Sequence, residues 1–411
     1  MKRMMHGLAT APKFLFCMFM LVTTAMQGAL AHEGHAGAAA TKRLELGTSA
    51  AVDKEGRLWV ASKETLDGGE FVVLRRSADL GKTWSKPIKV QNTPEPVSAG
   101  GEERPKIAFG PKDEIYVTYT KPVAKPHIGD IRFARSVDGA RSFSEPVTVH
   151  ASRDRIVHAF GSMIVDRAGR IFIVWIDGRD ATATRARGES YRGSAIYYAV
   201  SSDGGATFKG DYKIADHVCE CCRISLALNA QGNPVAMWRH VFEPNARDHA
   251  VAELAPDGKA GTAMRATFDD WRIDACPHHG PSLAYAADGT RHQVWFNGKD
   301  GDSAGVQYAT VAPGQTSIKP VKLGEAQASH ADIAVQGKQV AIAWKQFDGQ
   351  ATAIMAKLSA DGGATWQSRE LVRTAGDSDK PFLIHSPAGI LLVWRTNNEG
   401  IRVVRTVQEA S

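Results

Sequence analysis

The eight residues Ser201–Phe208 read Ser-Ser-Asp-Gly-Gly-Ala-Thr-Phe, and close variants of this pattern make four copies in the chain. The aspartate can accept hydrogen bonds from the backbone N–H groups of a tight turn, and the glycine tolerates a positive φ. The final aromatic ring can pack the turn against a sheet. The pattern therefore predicts four similar hairpins. The other three copies are Ser77–Trp84, Ser136–Phe143 and Ser359–Trp366.

A larger repeat of about 50 to 65 residues surrounds these copies, which is typical of a propeller blade. Each repeat begins with a short apolar strand such as Met163–Val165, followed by a turn and an aromatic-rich strand such as Ile171–Trp175. We count seven repeats and find no competing helical periodicity. The sequence predicts an all-β fold, a single β-propeller of four-stranded blades, with seven blades preferred over six. The segment Lys42–Leu46 could supply the missing outer strand of the last blade and hide its edge.

The N-terminus has the pattern of an export signal. A basic start precedes the apolar run Phe14–Met26 and the small-residue site Ala29–Ala31. We predict a signal peptide over residues 1–31, a flexible His-containing segment over 32–41 and the propeller over 42–411. The protein is therefore expected to be periplasmic or secreted, with no membrane span after signal cleavage.

The charge of the chain points to no particular macromolecule. The formal net charge is +6, and three of the cations belong to the predicted signal peptide. The sequence contains no block of Lys and Arg residues that would indicate nucleic-acid binding. The expected partners are a metal ion or a small-molecule or glycan ligand, and a periplasmic protein partner is also compatible with the sequence.

The four turns resemble the Asp-boxes of the sialidase-like (BNR repeat) β-propeller family, and they are spread over nearly all of residues 42–411. The resemblance implies a glycosidase in which three arginines bind a sugar carboxylate, an Asp is the acid/base and a Tyr is the nucleophile. The family's early Phe/Tyr-Arg-Ile-Pro motif has no match, and its nearest counterpart is Glu103-Arg104-Pro105. The last tyrosine, Tyr308, lies too early for the family's nucleophile. Arg104 and Arg223 are the candidate ligand-binding residues under this resemblance.

Two segments interrupt the repeat, His217–Arg223 and Cys276–Pro281. Both lie where an outer strand leads into the innermost strand of the next blade, a connection that borders the mouth of a propeller's channel. Thiolate and imidazole ligands together suit copper, with zinc as the alternative. We predict a metal site at the mouth, and the histidines of the predicted mature terminus add a copper-chelating group. The candidate ligands are Cys219, Cys221, Cys222, Cys276, His278, His279, His158, His330, His32 and His35.

The sequence leaves several functions open. Cysteines of an exported protein often form disulfides, and one or two are compatible with this spacing. The leading hypothesis is copper binding or handling. The alternatives are an exo-sialidase-type glycoside hydrolase and a non-catalytic propeller that binds a glycan or a partner. The sequence leaves open whether the protein is an enzyme. If it is one, we expect a sialidase-type glycosidase or a metal-dependent redox enzyme.

Overall fold

The computed structural model describes residues 45–123, 127–325 and 327–407. They form seven antiparallel β-sheets and one short helix, so the predicted seven-bladed propeller is confirmed. The predicted signal peptide and the histidines His32 and His35 lie outside the described residues. Within the described ranges, no helix has the length and apolar character needed to cross a membrane.

Each sheet is one blade, and its strands pair in chain order from the axis outward. The first three blades contain β1 (Thr48–Val52), β2 (Leu58–Leu66), β3 (Gly69–Ser77) and β4 (Ile88–Lys89); β5 (Lys106–Phe109), β6 (Ile115–Pro122), β7 (Gly129–Ser136) and β8 (Val147–Thr148); β9 (His158–Val165), β10 (Ile171–Asp177), β11 (Ser194–Ser201) and β12 (Lys209–Val218). The helix α1 (Arg179–Ala186) lies between β10 and β11.

The last four blades complete the ring. They contain β13 (Ser225–Leu228), β14 (Pro234–Arg239), β15 (His249–Glu253) and β16 (Met264–Arg265); β17 (Ser282–Tyr285), β18 (Arg291–Asn297), β19 (Gly305–Val311) and β20 (Val321–Leu323); β21 (Ala328–Gln336), β22 (Gln339–Phe347), β23 (Thr352–Ser359) and β24 (Gln367–Thr374); β25 (Phe382–Ser386), β26 (Gly389–Thr396) and β27 (Gly400–Arg405). The inner strand of every blade contacts the inner strand of the next, and β25 contacts β1.

The four repeated turns form as predicted. In the third blade, Asp203 Oδ1 accepts a hydrogen bond from Thr207 N (3.0 Å) and Oδ2 accepts one from Thr207 Oγ1 (2.6 Å). Gly205 has φ of 83°, and the Phe208 ring packs edge-on against Phe133 of the second blade at 5.0 Å. Every copy joins the third and fourth strands of a blade. Because neighbouring strands are antiparallel, these turns lie at the opposite end from the connections between blades.

The last blade has three strands in the described part of the chain. Glu45 and Leu46 lie outside any strand, and residues 42–44 are outside the described ranges, so the predicted fourth strand is not formed by the described residues. A buried ion pair near the contact between the first and last blades joins the connections that lead into the second and last blades. Arg104 Nη2 lies 2.9 Å from Asp379 Oδ1, and Asp379 Oδ2 accepts hydrogen bonds from Arg104 Nη1 (3.0 Å) and Thr48 N (2.9 Å).

This ion pair predicts a large effect of one substitution. Asp379→Ala should lower the free energy of unfolding by about 3 to 5 kcal/mol, because Arg104 would be left buried without its counter-charge. The exposed Glu370, which pairs with Arg373 at 2.8 Å, provides the control. Glu370→Ala should leave the urea unfolding midpoint unchanged. Equal midpoints for the two variants would contradict a role of the Arg104–Asp379 pair in closing the ring.

Candidate functional site

Three cysteines form a compact sulfur triangle on the connection between β12 and β13. The Sγ atoms of Cys219 and Cys221 are 3.6 Å apart, and each lies 3.9 Å from Cys222 Sγ. All three side chains are buried, at 1 to 2 % exposure, in the core between the third and fourth blades. A tetrahedral ion with bonds of about 2.3 Å to sulfur holds its sulfur ligands about 3.8 Å apart. The spacing of the three sulfurs therefore fits a single metal ion.

The neighbouring blade fixes the first of these cysteines. Cys219 N donates to Arg239 O (2.9 Å), which continues the pairing of Val218 with His240 beyond the end of β12. Arg247 Nη1 lies 3.7 Å from Cys219 Sγ. The cysteine loop is thus tied by its backbone to the fourth blade, and a guanidinium faces its sulfur.

The three thiols have different acidities. Hydrogen bonds from Cys221 and Cys222 hold the pKa of Cys219 well below its usual value, and the charges of Arg239 and Arg247 add to this effect. Hydrogen bonding to Cys219 raises the pKa of Cys221. Burial raises the pKa of Cys222 to about 12. The lowered pKa of Cys219 and the raised pKa values of its two neighbours favour a thiolate at Cys219 that accepts hydrogen bonds from the other two thiols.

A fourth cysteine approaches from the next connection. Cys276 lies between β16 and β17 and is exposed, and the influence of Cys221 lowers the pKa of Cys276. All four described cysteines are free thiols in this structure, so none of the disulfides compatible with their spacing is present. Three buried sulfurs and one exposed sulfur are a donor set that copper(I) or zinc can use.

The predicted histidine ligands do not join the sulfurs. Among the described residues, only the three cysteines form a group of three or more potential ligands with all ligand atoms within 4.8 Å of one another. His279 and His330 stack on each other instead, with ring centroids 4.1 Å apart, and neither Nδ1 atom has a hydrogen-bond partner. Burial lowers the pKa of both rings, so both are neutral. His278 is exposed and near His127, with ring centroids 6.4 Å apart.

His158 lies apart from these groups, at the beginning of β9. It is fully buried and stacks on His150, with ring centroids 3.8 Å apart. Its Nδ1 atom is 3.2 Å from Gly129 O, and its Nε2 atom is 3.6 Å from Asp177 Oδ2. These neighbours hold His158 in the core between the second and third blades.

The two candidate arginines lie at the mouth of the axial channel. Both terminal nitrogens of Arg104 are bound by Thr48 O, Gly101 O and Asp379. Arg223 Nε donates to Pro281 O (3.0 Å), and its Nη2 atom donates to Ala331 O. The donors of these arginines are thus largely occupied by the protein itself.

Glu102 is a central residue that the sequence analysis missed. Its side chain is 1 % exposed, and Oε1 pairs with Lys380 of the connection into the last blade. Oε2 accepts hydrogen bonds from Arg223 N (3.0 Å), next to Cys222, and from Gly280 N (2.7 Å), on the Cys276 connection. A Cβ atom on Gly280 would lie 2.6 Å from this oxygen, so the close approach requires glycine. One carboxylate therefore fixes both cysteine-bearing segments.

Left-handed backbone conformations cluster on this face. His127, His217, His278, His330 and Phe160 all have φ between 51° and 66°. Non-glycine residues adopt this region at a cost that the surrounding structure must offset, and such residues concentrate at functional sites. The connection face is therefore the strongest candidate for the functional face.

The axial channel encloses a cavity of about 550 Å³. Residues of all seven inner strands line it, together with Arg104 and Arg223 at the mouth. None of the four cysteines is among the lining residues. The metal-ligand candidates therefore lie beside the channel rather than in it.

Comparison with known proteins shows the fold. No protein family and no curated protein matches this sequence. The polysaccharide lyase Uly1 is similar with a TM-score of 0.55 at 11% identity, covering 92% of this chain and 93% of its own. A PL25 ulvan lyase bound to -[GlcA(1-4)Rha3S]- gives 0.53 at 12% identity, covering 86% and 90%. The NanB sialidase from Streptococcus pneumoniae gives 0.47 at 10% identity, covering 74% and 65%.

These neighbours are glycan-acting enzymes, and their identities to this chain are too low to carry more than the β-propeller fold.

The burial of the sulfurs predicts a simple pattern of thiol reactivity. In the folded, reduced protein, a chromogenic aromatic disulfide should react rapidly with Cys276 and slowly with the three buried cysteines. Because the pKa of Cys276 is lowered, its rate should reach half-maximum at a lower pH than that of an unperturbed cysteine. The Cys276→Ser variant should lose the rapid phase. Rapid reaction of two or more thiols in that variant would contradict the buried triangle.

Proposed function

We propose that the protein is a metal-binding propeller that holds one thiophilic ion, copper(I) or zinc, through Cys219, Cys221 and Cys222. The observation that carries this proposal is the sulfur triangle, with edges of 3.6 to 3.9 Å. Soft thiolates select such ions over hard, oxygen-seeking cations. Bound metal would supply the positive charge that keeps all three sulfurs deprotonated.

Copper(I) is the preferred ion of this proposal. Three sulfurs are buried and the fourth, on Cys276, is exposed, an arrangement that suits a three-coordinate ion. Zinc in structural sites takes four ligands and would have to recruit Cys276. We propose that in the cell the protein binds copper for storage or delivery.

A competition titration tests this proposal. Reduced protein should remove one copper(I) per chain from a chromogenic chelator, and Cys222→Ala should weaken binding by at least about 100-fold. Val218→Ala is the matched control, since it removes buried volume next to the sulfurs but no ligand. Cys276→Ala should weaken zinc binding more than copper(I) binding. Equal copper affinity of Cys222→Ala and Val218→Ala would overturn the proposal.

Export is part of the same proposal. The basic start and apolar run support cleavage after Ala31, which would place His32 at the mature terminus with His35 nearby. Its free amine and these imidazoles would form a second copper-chelating group. N-terminal sequencing of protein from the periplasmic fraction should begin at His32, and an intact Met1 terminus would contradict export.

A glycan-acting enzyme is the second candidate. It is supported by the two polysaccharide lyases that share the fold over most of their length, and by the open axial cavity. The engagement of Arg104 by Asp379 and two carbonyl groups argues against the sialidase-type version, because that chemistry needs a guanidinium free for the substrate.

Two assays test the second candidate. Incubation with ulvan should produce the ultraviolet absorbance of an unsaturated uronate if the protein is a lyase, and a fluorogenic sialoside should release its dye if it is a sialidase. Cys222→Ala should leave either activity intact, since the cysteines lie outside the channel. Absence of product from both substrates would eliminate these two forms of the glycan-acting candidate.

A further inference from the structure

Seven residues occupy equivalent positions on the seven inner strands. Each of these residues pairs with a residue on the second strand of its own blade. In six blades a buried aromatic residue directly follows that partner. In the fourth blade, for example, Ser225 pairs with Met237, and Trp238 follows. The first blade has Ala61 in the corresponding place. All seven residues line the axial cavity. They are Ser49, Lys106, Ser162, Ser225, Ser282, Asp332 and Phe382, and we call the six polar members, all but Phe382, the polar ring.

One side of the polar ring satisfies its own hydrogen bonds. Ser282 Oγ donates to Asp332 Oδ1 (2.6 Å), and Asp332 Oδ2 accepts from Leu383 N (2.8 Å). Ser225 Oγ accepts from Leu283 N (3.2 Å). These contacts are between neighbouring blades, so this half of the ring contributes to the structure.

The other side has unpaired polar groups. Ser49 is 1 % exposed, and its hydroxyl has no hydrogen-bond partner. The Lys106 amine has neither an acceptor nor an ion-pair partner among the described residues. The two residues belong to β1 and β5, which contact each other. A buried hydroxyl without a partner is unfavourable, so a hydroxyl and an amine that both lack partners and belong to residues lining one cavity indicate a place for a ligand.

The charges around Lys106 favour an anion. Arg104 and Arg223 lie nearby, and their own donors are largely taken by the protein. Burial and these two positive charges lower the pKa of Lys106 to about 7, against the weaker opposing effect of Asp379 and Asp332. An anion beside the amine would offset the repulsion from the arginines.

The layer next to the polar ring is apolar. Two residues further along the inner strands, six small or aliphatic side chains line the cavity. The cavity volume of about 550 Å³ is in the usual range for small-molecule sites. A ligand that matches both layers has a polar, anionic end and a short hydrocarbon part. The six residues of the apolar layer are Ala51, Ile164, Ala227, Ala284, Ala334 and Ile384.

We propose that the channel binds a short-chain hydroxy acid, with its carboxylate at Lys106, its hydroxyl group at Ser49 and its carbon chain against the apolar layer. This site is separate from the cysteine triangle and does not depend on a bound metal. It also differs from the arginine-based recognition that the sequence resemblance implies, since the anion is met by a lysine deeper in the channel.

Calorimetry with three matched ligands tests the site. Wild-type protein should bind 3-hydroxybutyrate more tightly than butyrate, which lacks the hydroxyl, and more tightly than 1,3-butanediol, which lacks the charge. Lys106→Met should weaken binding of the acid by at least about ten-fold, since a charge-assisted bond is lost. Ser49→Ala should bring 3-hydroxybutyrate and butyrate to similar affinities. Lys338→Met, in the exposed turn between β21 and β22, is the control.

A second measurement separates a ligand contact from a structural role. Near pH 8 part of Lys106 is neutral, so binding of the acid should take up protons from the buffer, and Lys106→Met should abolish this uptake. Lys106→Arg keeps the positive charge and should therefore keep the preference for the acid over the diol. This variant tests the site even if Lys106→Met fails to fold. Equal affinity for acid and diol, unchanged binding by Lys106→Met, or no saturable binding of 3-hydroxybutyrate would each overturn the proposal.

Discussion

A cluster of buried charges at the axis holds the two candidate sites in place. Glu102 and Asp379 are its anions, and Arg104, Arg223 and Lys380 are its cations. Ionised groups lose several kcal/mol of hydration when buried, so each depends on its partners remaining in position. The cluster connects the first, second, fourth, fifth and last blades through Thr48 N, Gly280 N and these side chains. The cluster therefore holds the connections between blades together, as strand pairing holds together the strands of one blade.

The cysteine triangle depends on this cluster. Glu102 binds the backbone next to Cys222 and the backbone of the Cys276 connection, which are far apart in the sequence. The sulfurs are brought together by buried hydrogen bonds, without a cross-link. A metal ion entering such a site would find most ligands in place, unlike the zinc fingers, where the metal must fold the chain. The metal binding that we propose would therefore be separable from folding.

The sequence predicted those structural features whose interacting groups lie close together in the chain. The turn Ser201–Phe208 predicted its hydrogen bonds because all donors and acceptors lie within eight residues. The clustering of Cys219, Cys221 and Cys222 also follows from their proximity in the chain. Other residues required the register of different blades. His158 lies where an outer strand leads into the inner strand of the next blade, as Arg104 and Arg223 do. Its ring nevertheless turns inward onto His150, which only the packing of two blades decides.

Glu102 and Lys106 were missed for the same reason. Glu102 adjoins Glu103 in an ordinary-looking loop, and its partners are more than a hundred residues away. Lys106 begins the apolar run of β5, where a lysine at a strand end usually extends to solvent. Its position became informative only after the seven inner strands were aligned by their pairing partners. The polar ring forms only when the seven inner strands come together around the axis, so it cannot be recognised in any single repeat.

The same register explains why a likeness in fold does not transfer chemistry. A sialidase-type site needs guanidinium groups directed at the substrate, but here Arg104 is committed to Asp379 and to two carbonyl groups. Among the described lysines and arginines that line the channel, Lys106 has no protein acceptor, and it lies below Arg104. The positive potential of the arginines persists even though their donors are occupied, and it acts on the lysine. The anion site that we propose therefore lies in the channel rather than at the mouth, and the connections at the mouth carry the cysteines.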